Sequence, residues 1–354
     1  MAVVKDAVWS ERGTTPDAIE AALRGLVKQR HAENGGFMPA RALNMIAFVE
    51  HRFAGEIANR LSRVGRYHAS RTIVLSYEPK RTSLDARAIV SSELEPAEGE
   101  LGLLRETVVV EIGERHLDDL VTIADPLVLS DITTLLWSPH GHGDMADPLL
   151  DIAQVVLIDS REEPSFGEAI ERACKLSHEA YVVDLAWLRS TPWRERIASA
   201  FDRPAMRAEL ERIESVSVRH HPASTVAAML FVGWLASRLD WRPRRLEKSG
   251  QTLIGAADAH GREIAIHLER APEQQAPGLD GVAVATDSGR RIELKRGDGG
   301  LRARSRDPQG HEREWTILGA SRGEGGILGE GIRQALLRDP TYVGALEAVE
   351  AMAP

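Results

Sequence analysis

Met45-Ile46-Ala47-Phe48-Val49 is a continuous apolar run, and it decides the fold class of the first half of the chain. A short apolar run without alternation is typical of a strand that is buried on both faces, as in a parallel sheet. Similar runs recur at 72–75, 108–110, 132–137 and 155–158. Helical patterns separate several of them, at 53–64, 116–124 and 147–154. This alternation of strand and helix predicts an open, mostly parallel α/β sheet.

Two local signals refine this half of the chain. Thr15-Pro16-Asp17 predicts the start of a helix, because proline is favoured at the first helical position. No helical pattern separates Ala88-Ile89-Val90 from Val108-Val109-Val110. We therefore expect a hairpin between these two runs, with a Glu-rich loop at 93–101.

The pattern changes after about residue 164. Helical periodicity covers 168–178, 184–201 and 223–239. From residue 240 the period drops to two, as where Ile264, Ile266 and Leu268 alternate with other residues. Such alternation, interrupted by turn signals, is typical of antiparallel strands with one face in water.

These patterns predict two domains. The first is an α/β domain at 1–164, and the second is an α+β domain at 165–354. The second domain consists of helices at 165–239, an antiparallel β-meander at 240–319 and C-terminal helices at 327–352. A length of 354 residues agrees with two domains, because single cores stop growing at roughly 250–300 residues.

Composition excludes several classes of function. The formal net charge is -9, and acidic residues are interspersed with the arginines, so the basic face that a nucleic-acid binder needs is missing. Cys174 is the single cysteine, which excludes an intramolecular disulfide and a cysteine-based zinc site. No apolar stretch is long enough to span a membrane, and no secretory signal is recognisable. We expect a cytoplasmic protein.

Two glycine-containing segments are candidate ligand sites. His140-Gly141-His142-Gly143-Asp144 offers metal-binding side chains, but histidines two residues apart on a glycine-rich loop have no fixed geometry, which favours a solvated loop. Gly323 to Gly331 precedes a helix and could cradle a phosphate. It lacks the Lys-Ser/Thr ending of a phosphate-binding loop and contains two glutamates, which favours a flexible connector.

Catalytic side chains are equally sparse. Cys174 and His178 are four residues apart on a predicted helix and could form an activated thiol, but the surrounding sequence favours a small residue at a helix interface. No other nucleophile, acid–base pair or metal set stands out. We expect a protein without catalytic residues, bound metal or cofactor.

Tryptophan and arginine concentrate in one part of the chain. Trp187 and Trp193 lie next to Arg189 and Arg194, and these residue types are enriched at interface hot spots. The alternative is that the tryptophans fill the interior, since burial is the usual fate of aromatic residues on an amphipathic face.

One stretch within this region also carries a family resemblance. Asp184-Leu185-Ala186-Trp187-Leu188-Arg189-Ser190-Thr191-Pro192-Trp193-Arg194 resembles the signature of the glucose-6-phosphate dehydrogenase assembly protein (OpcA) family. Supporting pieces occur in the family's order, at 68–74, 125–137, 157–160 and 233–239. Residue 138 is serine where family members often have a second tryptophan.

The resemblance implies a function in which the chemistry belongs to another protein. It implies that this chain binds glucose-6-phosphate dehydrogenase, as an assembly factor or allosteric activator, and supports the oxidative pentose phosphate pathway. The contact surface would include Trp187, Arg189, Thr191, Trp193 and Arg194, together with Trp137 and His140. The alternative is an α/β protein that senses a metabolite or acts on a phosphosugar or nucleotide.

Overall fold

The central strand of the first sheet is β3 (Leu43–Glu50), which contains the apolar run from Met45 to Val49. The computed structural model describes residues 4–33, 37–38, 41–64, 70–93, 102–318 and 323–354, so most of the predicted Glu-rich loop lies outside it. The described chain forms two compact units. The first contains Met1–Ile158, Glu179–Val183 and Leu328–Leu337, and the second contains Asp159–His178, Asp184–Ile327 and Arg338–Pro354. The division at residue 164 stays a prediction.

The first sheet has nine strands among the described residues. They are β1 (Val4–Glu11), β2 (Phe37–Met38), β3, β4 (Ser70–Tyr77), β5 (Asp85–Glu93), β6 (Gly102–Ile112), β7 (Thr134–Trp137), β8 (Val155–Ile158) and β9 (Tyr181–Asp184). The helices in this part of the sequence are α1 (Pro16–Glu33), α2 (His51–Val64), α3 (Leu120–Ala124), α4 (Gly143–Ala146) and α5 (Phe166–Glu179).

The order of the first sheet is β1-β5-β6-β4-β3-β7-β8-β9, with β2 beside β6. The central pairs are parallel, from β6 through β4, β3 and β7 to β8. β5 is antiparallel to β6, which confirms the predicted hairpin, and β1 adds an antiparallel edge that the sequence analysis missed. The mostly parallel α/β sheet predicted for this half of the chain is confirmed.

A buried ion-pair cluster ties this sheet to α1. The guanidinium of Arg71 on β4 donates from Nε to Glu106 on β6 at 2.8 Å and from Nη1 to Glu20 on α1 at 2.9 Å. Nη1 also donates to the carbonyl of Leu127 at 3.0 Å, and Arg41 binds the other oxygen of Glu106. Because these groups are buried, each charge depends on its partners, and losing one partner would leave the others uncompensated.

The second unit is built on a further nine-stranded sheet. Its strands are β10 (Ile213–His220), β11 (Arg242–Pro243), β12 (Glu247–Ser249), β13 (Thr252–Ala259), β14 (Arg262–Arg270), β15 (Leu279–Thr286), β16 (Arg291–Gly297), β17 (Gly300–Arg306) and β18 (Glu312–Leu318). The remaining α-helices of the described residues are α6 (Leu185–Arg189), α7 (Thr191–Phe201), α8 (Pro204–Arg207), α9 (Thr225–Arg238), α10 (Gly323–Leu337) and α11 (Thr341–Met352).

The order of the second sheet is β11-β13-β14-β10-β15-β16-β17-β18, with β12 beside β13. The antiparallel strands predicted after residue 240 are confirmed. β10 lies inside the stretch predicted to be helical and inserts between β14 and β15, parallel to the first and antiparallel to the second. Its buried residues Val216 and Val218 alternate with half-buried serines, a period of two that the helical interpretation overlooked.

Helices α9 and α11 pack against each other through a glycine. A Cβ atom added at Gly233 would lie 2.3 Å from the carbonyl oxygen of Ala345 and 2.9 Å from Cγ2 of Val349. The close approach to α11 therefore requires glycine at position 233, within a helix most of whose residues are buried.

The segment from Gly323 to Gly331 is helical, as part of α10, so the predicted flexible connector is wrong. Ile327 and Leu328 are buried, and burial of such side chains contributes about 1.5–3 kcal/mol each, which offsets the low helix propensity of glycine. None of the described helices combines the length and the apolar composition needed to cross a bilayer.

Candidate functional site

The signature stretch begins with a fully buried carboxylate. Asp184 ends β9, and its Oδ1 accepts hydrogen bonds from the backbone N–H of Ala186 at 2.8 Å and of Ser160 at 3.1 Å. Its Oδ2 accepts from the Ser160 hydroxyl at 2.6 Å and from the Tyr342 hydroxyl at 3.3 Å. Burial is the main cause that raises the pKa of Asp184 from 3.8 to about 6. Asp184 therefore caps α6 and joins it to α11.

Arg189 is the next polar residue of the signature, and it forms a two-pronged ion pair. Its Nη1 and Nη2 atoms donate to Oδ1 and Oδ2 of Asp159 at 2.8 and 2.7 Å. Both side chains are largely buried, so the pair is shielded from solvent. This geometry is the strong form of a charge-assisted hydrogen bond, and it fixes the end of α6 to the residue that follows β8.

Trp187 and Arg194 form the third contact of the signature. The guanidinium carbon of Arg194 lies 3.4 Å from the centre of the Trp187 ring, and Trp187 Nε1 donates to Asp339 Oδ2 at 3.0 Å. Arg194 also donates to the hydroxyls of Thr191 and Ser190, at 3.0 and 3.1 Å. Burial lowers the pKa of Arg194 to about 10, which leaves it cationic near pH 7. A stacked, hydrogen-bonded arginine is held in one orientation.

The signature residues are therefore mostly interior. Trp187, Trp193 and Arg194 are 2%, 4% and 7% exposed, so their ring and guanidinium chemistry serves contacts inside the second unit. Thr191 is half-buried, and Arg189 faces Asp159. The prediction that this segment contributes to a partner surface stays a prediction. In this conformation, partner binding by this segment would depend on the backbone and on the neighbouring residues that the buried signature side chains hold in place.

Sequence reasoning missed the partners of these residues. Asp159 and Ser160 follow a buried strand, and polar residues in that position are the signal that could have identified them. Asp339 and Tyr342 are 152 and 158 residues away in sequence from the side chains that they bind. No local pattern encodes such a pairing.

The second part of the predicted contact surface, Trp137 and His140, lies at the point where the strand order of the first sheet reverses. The chain proceeds from β3 to β4 and β6 on one side, and β7 then returns to the other side of β3. In open α/β sheets of this kind, ligands bind in the crevice at the carboxyl ends of the strands that flank the reversal. Here these ends carry Glu50 and Trp137, and the loop at 138–142 follows.

Side chains of the chain itself meet in this crevice. His142 Nε2 lies 2.8 Å from Glu50 Oε1, and this hydrogen bond is the main cause that lowers the pKa of Glu50. The exposed His140 adopts a left-handed backbone with φ 68° and places its ring 4.2 Å from that of Phe53. Trp137 is buried, with the guanidinium of Arg60 at 5.8 Å from its ring.

This arrangement does not resemble a phosphate-binding turn. Between β3 and α2, a segment that the structure describes completely, Glu50 is followed directly by the first residue of the helix. A dinucleotide site of this fold needs a glycine-rich turn there, with free backbone N–H groups at the helix start. The Glu50 carboxylate occupies that position and would repel a phosphate.

The metal and thiol candidates of the sequence have no supporting geometry among the described residues. Across the described residues, no group of three or more His, Cys, Asp or Glu side chains is placed to hold a metal ion. His178 Nδ1 contacts the carbonyl oxygen of Cys174 at 2.8 Å, not its thiol. Burial raises the pKa of the Cys174 thiol, which is the opposite of activation.

Family models match both halves of the chain. Residues 61–175 match the model described as the glucose-6-phosphate dehydrogenase subunit N-terminal domain, and residues 180–346 match the model of the C-terminal domain of that subunit. The chain belongs to the OpcA family. The second of these matches contains the whole signature from Asp184 to Arg194, and the family predicted from that stretch is confirmed.

Curated relatives bear the same family name. A "Putative OxPP cycle protein OpcA" from Nostoc punctiforme is 33% identical over 170 residues, covering 45% of this chain and 36% of that protein. The protein of the same name from Synechocystis sp. is 27% identical over 186 residues, covering 51% of this chain and 38% of that protein. The match thus spans little more than a third of the length of these relatives.

Two solved structures that align with much of this chain are dehydrogenases. Scyllo-inositol dehydrogenase from Lactobacillus casei has a TM-score of 0.47 at 13% identity, covering 89% of this chain and 96% of that one. The WlbA (WbpB) dehydrogenase from Thermus thermophilus has a TM-score of 0.42 at 14% identity, covering 86% and 92%. Likeness at this level carries no chemistry over to this chain.

Proposed function

We propose that this chain is a non-catalytic partner of glucose-6-phosphate dehydrogenase, which binds the enzyme and supports its assembly or active conformation. The observation that carries the proposal is the match of residues 61–175 and 180–346 to the two domains of a glucose-6-phosphate dehydrogenase subunit. The names of the curated relatives, which refer to the OxPP cycle, point to the same metabolic context. A cytoplasmic location stays a prediction.

The local geometry supports the non-catalytic part of the proposal. In the first unit, the crevice at the sheet reversal holds the Glu50–His142 pair, and β3 passes directly into α2 without a glycine-rich turn. In the second unit, the polar side chains of the signature bind one another, as in the Asp159–Arg189 pair. Polar groups that already satisfy each other's hydrogen bonds are suited to holding a rigid surface.

Such a partner acts through differential binding. It changes the activity of the enzyme only if it binds one conformational or oligomeric state more tightly than another. A tenfold shift in that equilibrium requires about 1.4 kcal/mol of difference in binding free energy. A modest protein–protein interface is sufficient to supply it.

The test is a steady-state assay of the dehydrogenase from the same organism, with and without this chain, at varied glucose 6-phosphate. We expect a saturable fall in apparent KM or rise in kcat, together with a shift in the sedimentation of the enzyme. This chain alone should show no turnover. Two results contradict the proposal: turnover by this chain alone, or no effect and no co-sedimentation at micromolar excess with both proteins folded.

A further inference from the structure

A groove in the second unit lies between α7–α8 and the last strand of the sheet, β18. It encloses about 380 Å³. The register places Leu294 of β16 opposite Ala303 of β17, and Ala303 opposite Trp315 of β18, so the three share one face of the sheet. On that face Leu294 and Ala303 are buried, whereas Trp315 is 37% exposed. β18 therefore extends the apolar floor of the groove into solvent.

The rim of the groove is basic. Arg196 and Arg203 line it from the helical side, Arg313 lines it from β18, and Arg290 lines it from the turn before β16. Among the described residues that line it there is no aspartate or glutamate, although the whole chain has a net charge of -9. The buried Nε atom of Arg290 has no hydrogen-bond partner within the described part of the chain. The charge of the groove calls for an anionic occupant.

The backbone of β18 is also available. Glu312–Leu318 pairs along one edge with β17, and its other edge pairs with no strand among the described residues. Its seven residues are exposed or half-buried. The guanidinium carbon of Arg313 lies 5.6 Å from the centre of the Trp315 ring. An unprotected sheet edge with unpaired N–H and C=O groups is a template for one more strand.

We propose that this groove binds an extended acidic segment of the partner dehydrogenase, which adds to β18 as a further strand. The inference rests on the proposed function and names the docking surface. Alternate side chains of the added strand would face the groove, with a carboxylate near Arg313 and apolar side chains against Trp315 and Ile317. Carboxylates from the same segment would reach Arg203 across the groove.

Two other occupants fit the observations less well. A single-stranded nucleic acid would use several aromatic side chains as stacking platforms, whereas Trp315 is the one aromatic residue among the described residues that line the groove. A second copy of this chain would bring its own basic groove towards this one, and like charges oppose that approach.

The test compares two charge-reversed double variants. Arg203→Glu with Arg313→Glu reverses the groove, and Arg302→Glu with Arg306→Glu makes the same change in charge on exposed residues of the opposite face of β17. Each is titrated with the dehydrogenase, after circular dichroism has verified folding. We expect the groove variant to weaken binding at least about 10-fold, and the control variant to bind within about 3-fold of wild type.

Hydrogen exchange supplies an independent readout. Dehydrogenase binding should slow the exchange of backbone amides at 312–318 in wild type, because their unpaired groups become hydrogen-bonded. The inference is overturned if wild type binds but both double variants bind equally well, or if 312–318 gains no protection. The inference is also overturned if wild type binds a single-stranded DNA 20-mer as tightly as it binds the dehydrogenase. A salt-resistant dimer of wild type that the groove variant does not form would overturn it as well. If wild type does not bind the dehydrogenase, the proposed function itself fails.

Discussion

The substitution Asp184→Asn tests whether ionisation of the buried Asp184 carboxylate lowers the free energy of unfolding near neutral pH. The folded protein raises the pKa of this group from 3.8 to about 6, with burial as the first cause. Between these values the folded chain holds a proton that the unfolded chain has released. The resulting stabilisation is fully present below about pH 4 and is lost as the pH rises through about 6.

The magnitude follows from the two pKa values. A difference between 3.8 and about 6 corresponds to about 3 kcal/mol, since each unit is worth about 1.4 kcal/mol. Asparagine has nearly the same shape, and its oxygen can still accept from the N–H groups of Ser160 and Ala186. Its amide can donate to the hydroxyl oxygens of Ser160 and Tyr342, which are free to rotate.

The assay is urea unfolding of wild type and Asp184→Asn at pH 4.5 to 8, followed by tryptophan fluorescence. We expect the free energy of unfolding of the variant to rise relative to that of wild type by about 2 kcal/mol across this range, because about 1 kcal/mol of the wild-type stabilisation is already lost by pH 4.5. Asp202→Asn, on an exposed residue, serves as the control and should keep a constant difference. The reasoning is refuted if the difference between wild type and Asp184→Asn is also independent of pH.

Two further substitutions probe packing. Arg71→Met leaves the buried Glu106 without its guanidinium partner and should lower the free energy of unfolding in urea by about 3–5 kcal/mol, whereas Arg63→Met on an exposed helix residue should change it by less than about 0.5 kcal/mol. A loss below about 1 kcal/mol for Arg71→Met would show that the cluster is not a unit. Gly233→Ala should lower the thermal midpoint, because its Cβ meets a backbone oxygen at 2.3 Å, and Gly55→Ala, with nothing within 4 Å, should raise it slightly. Equal shifts in the same direction would contradict the packing argument.

Local patterns were reliable wherever burial alone dictated the sequence. The runs in β3, β4, β7 and β8 are mostly apolar because both faces of a central parallel strand are covered. The hairpin of β5 and β6 was predictable on a different ground, because no helical period separates the two runs.

Local patterns are misleading where tertiary contacts override the local propensity of a segment. β10 lies inside a stretch that is predicted to be helical, although its alternating valines are typical of a strand with one half-buried face. The glycines of α10 indicate a loop by propensity, yet the segment is helical with two buried aliphatic residues. In both cases the deciding energy comes from residues that are distant in sequence.

The sequence by itself determined the family, the two kinds of sheet and the position of the signature at 184–194, because these depend on residue identity and short-range period. Tertiary structure alone decided that the tryptophans and arginines of the signature face inward. It also decided that Glu50 and His142 meet at the sheet reversal, and that β18 is left as an open edge beside a basic groove. Burial, charge pairing and strand order are properties of segments that meet in space, and loop connections let those segments lie anywhere along the chain.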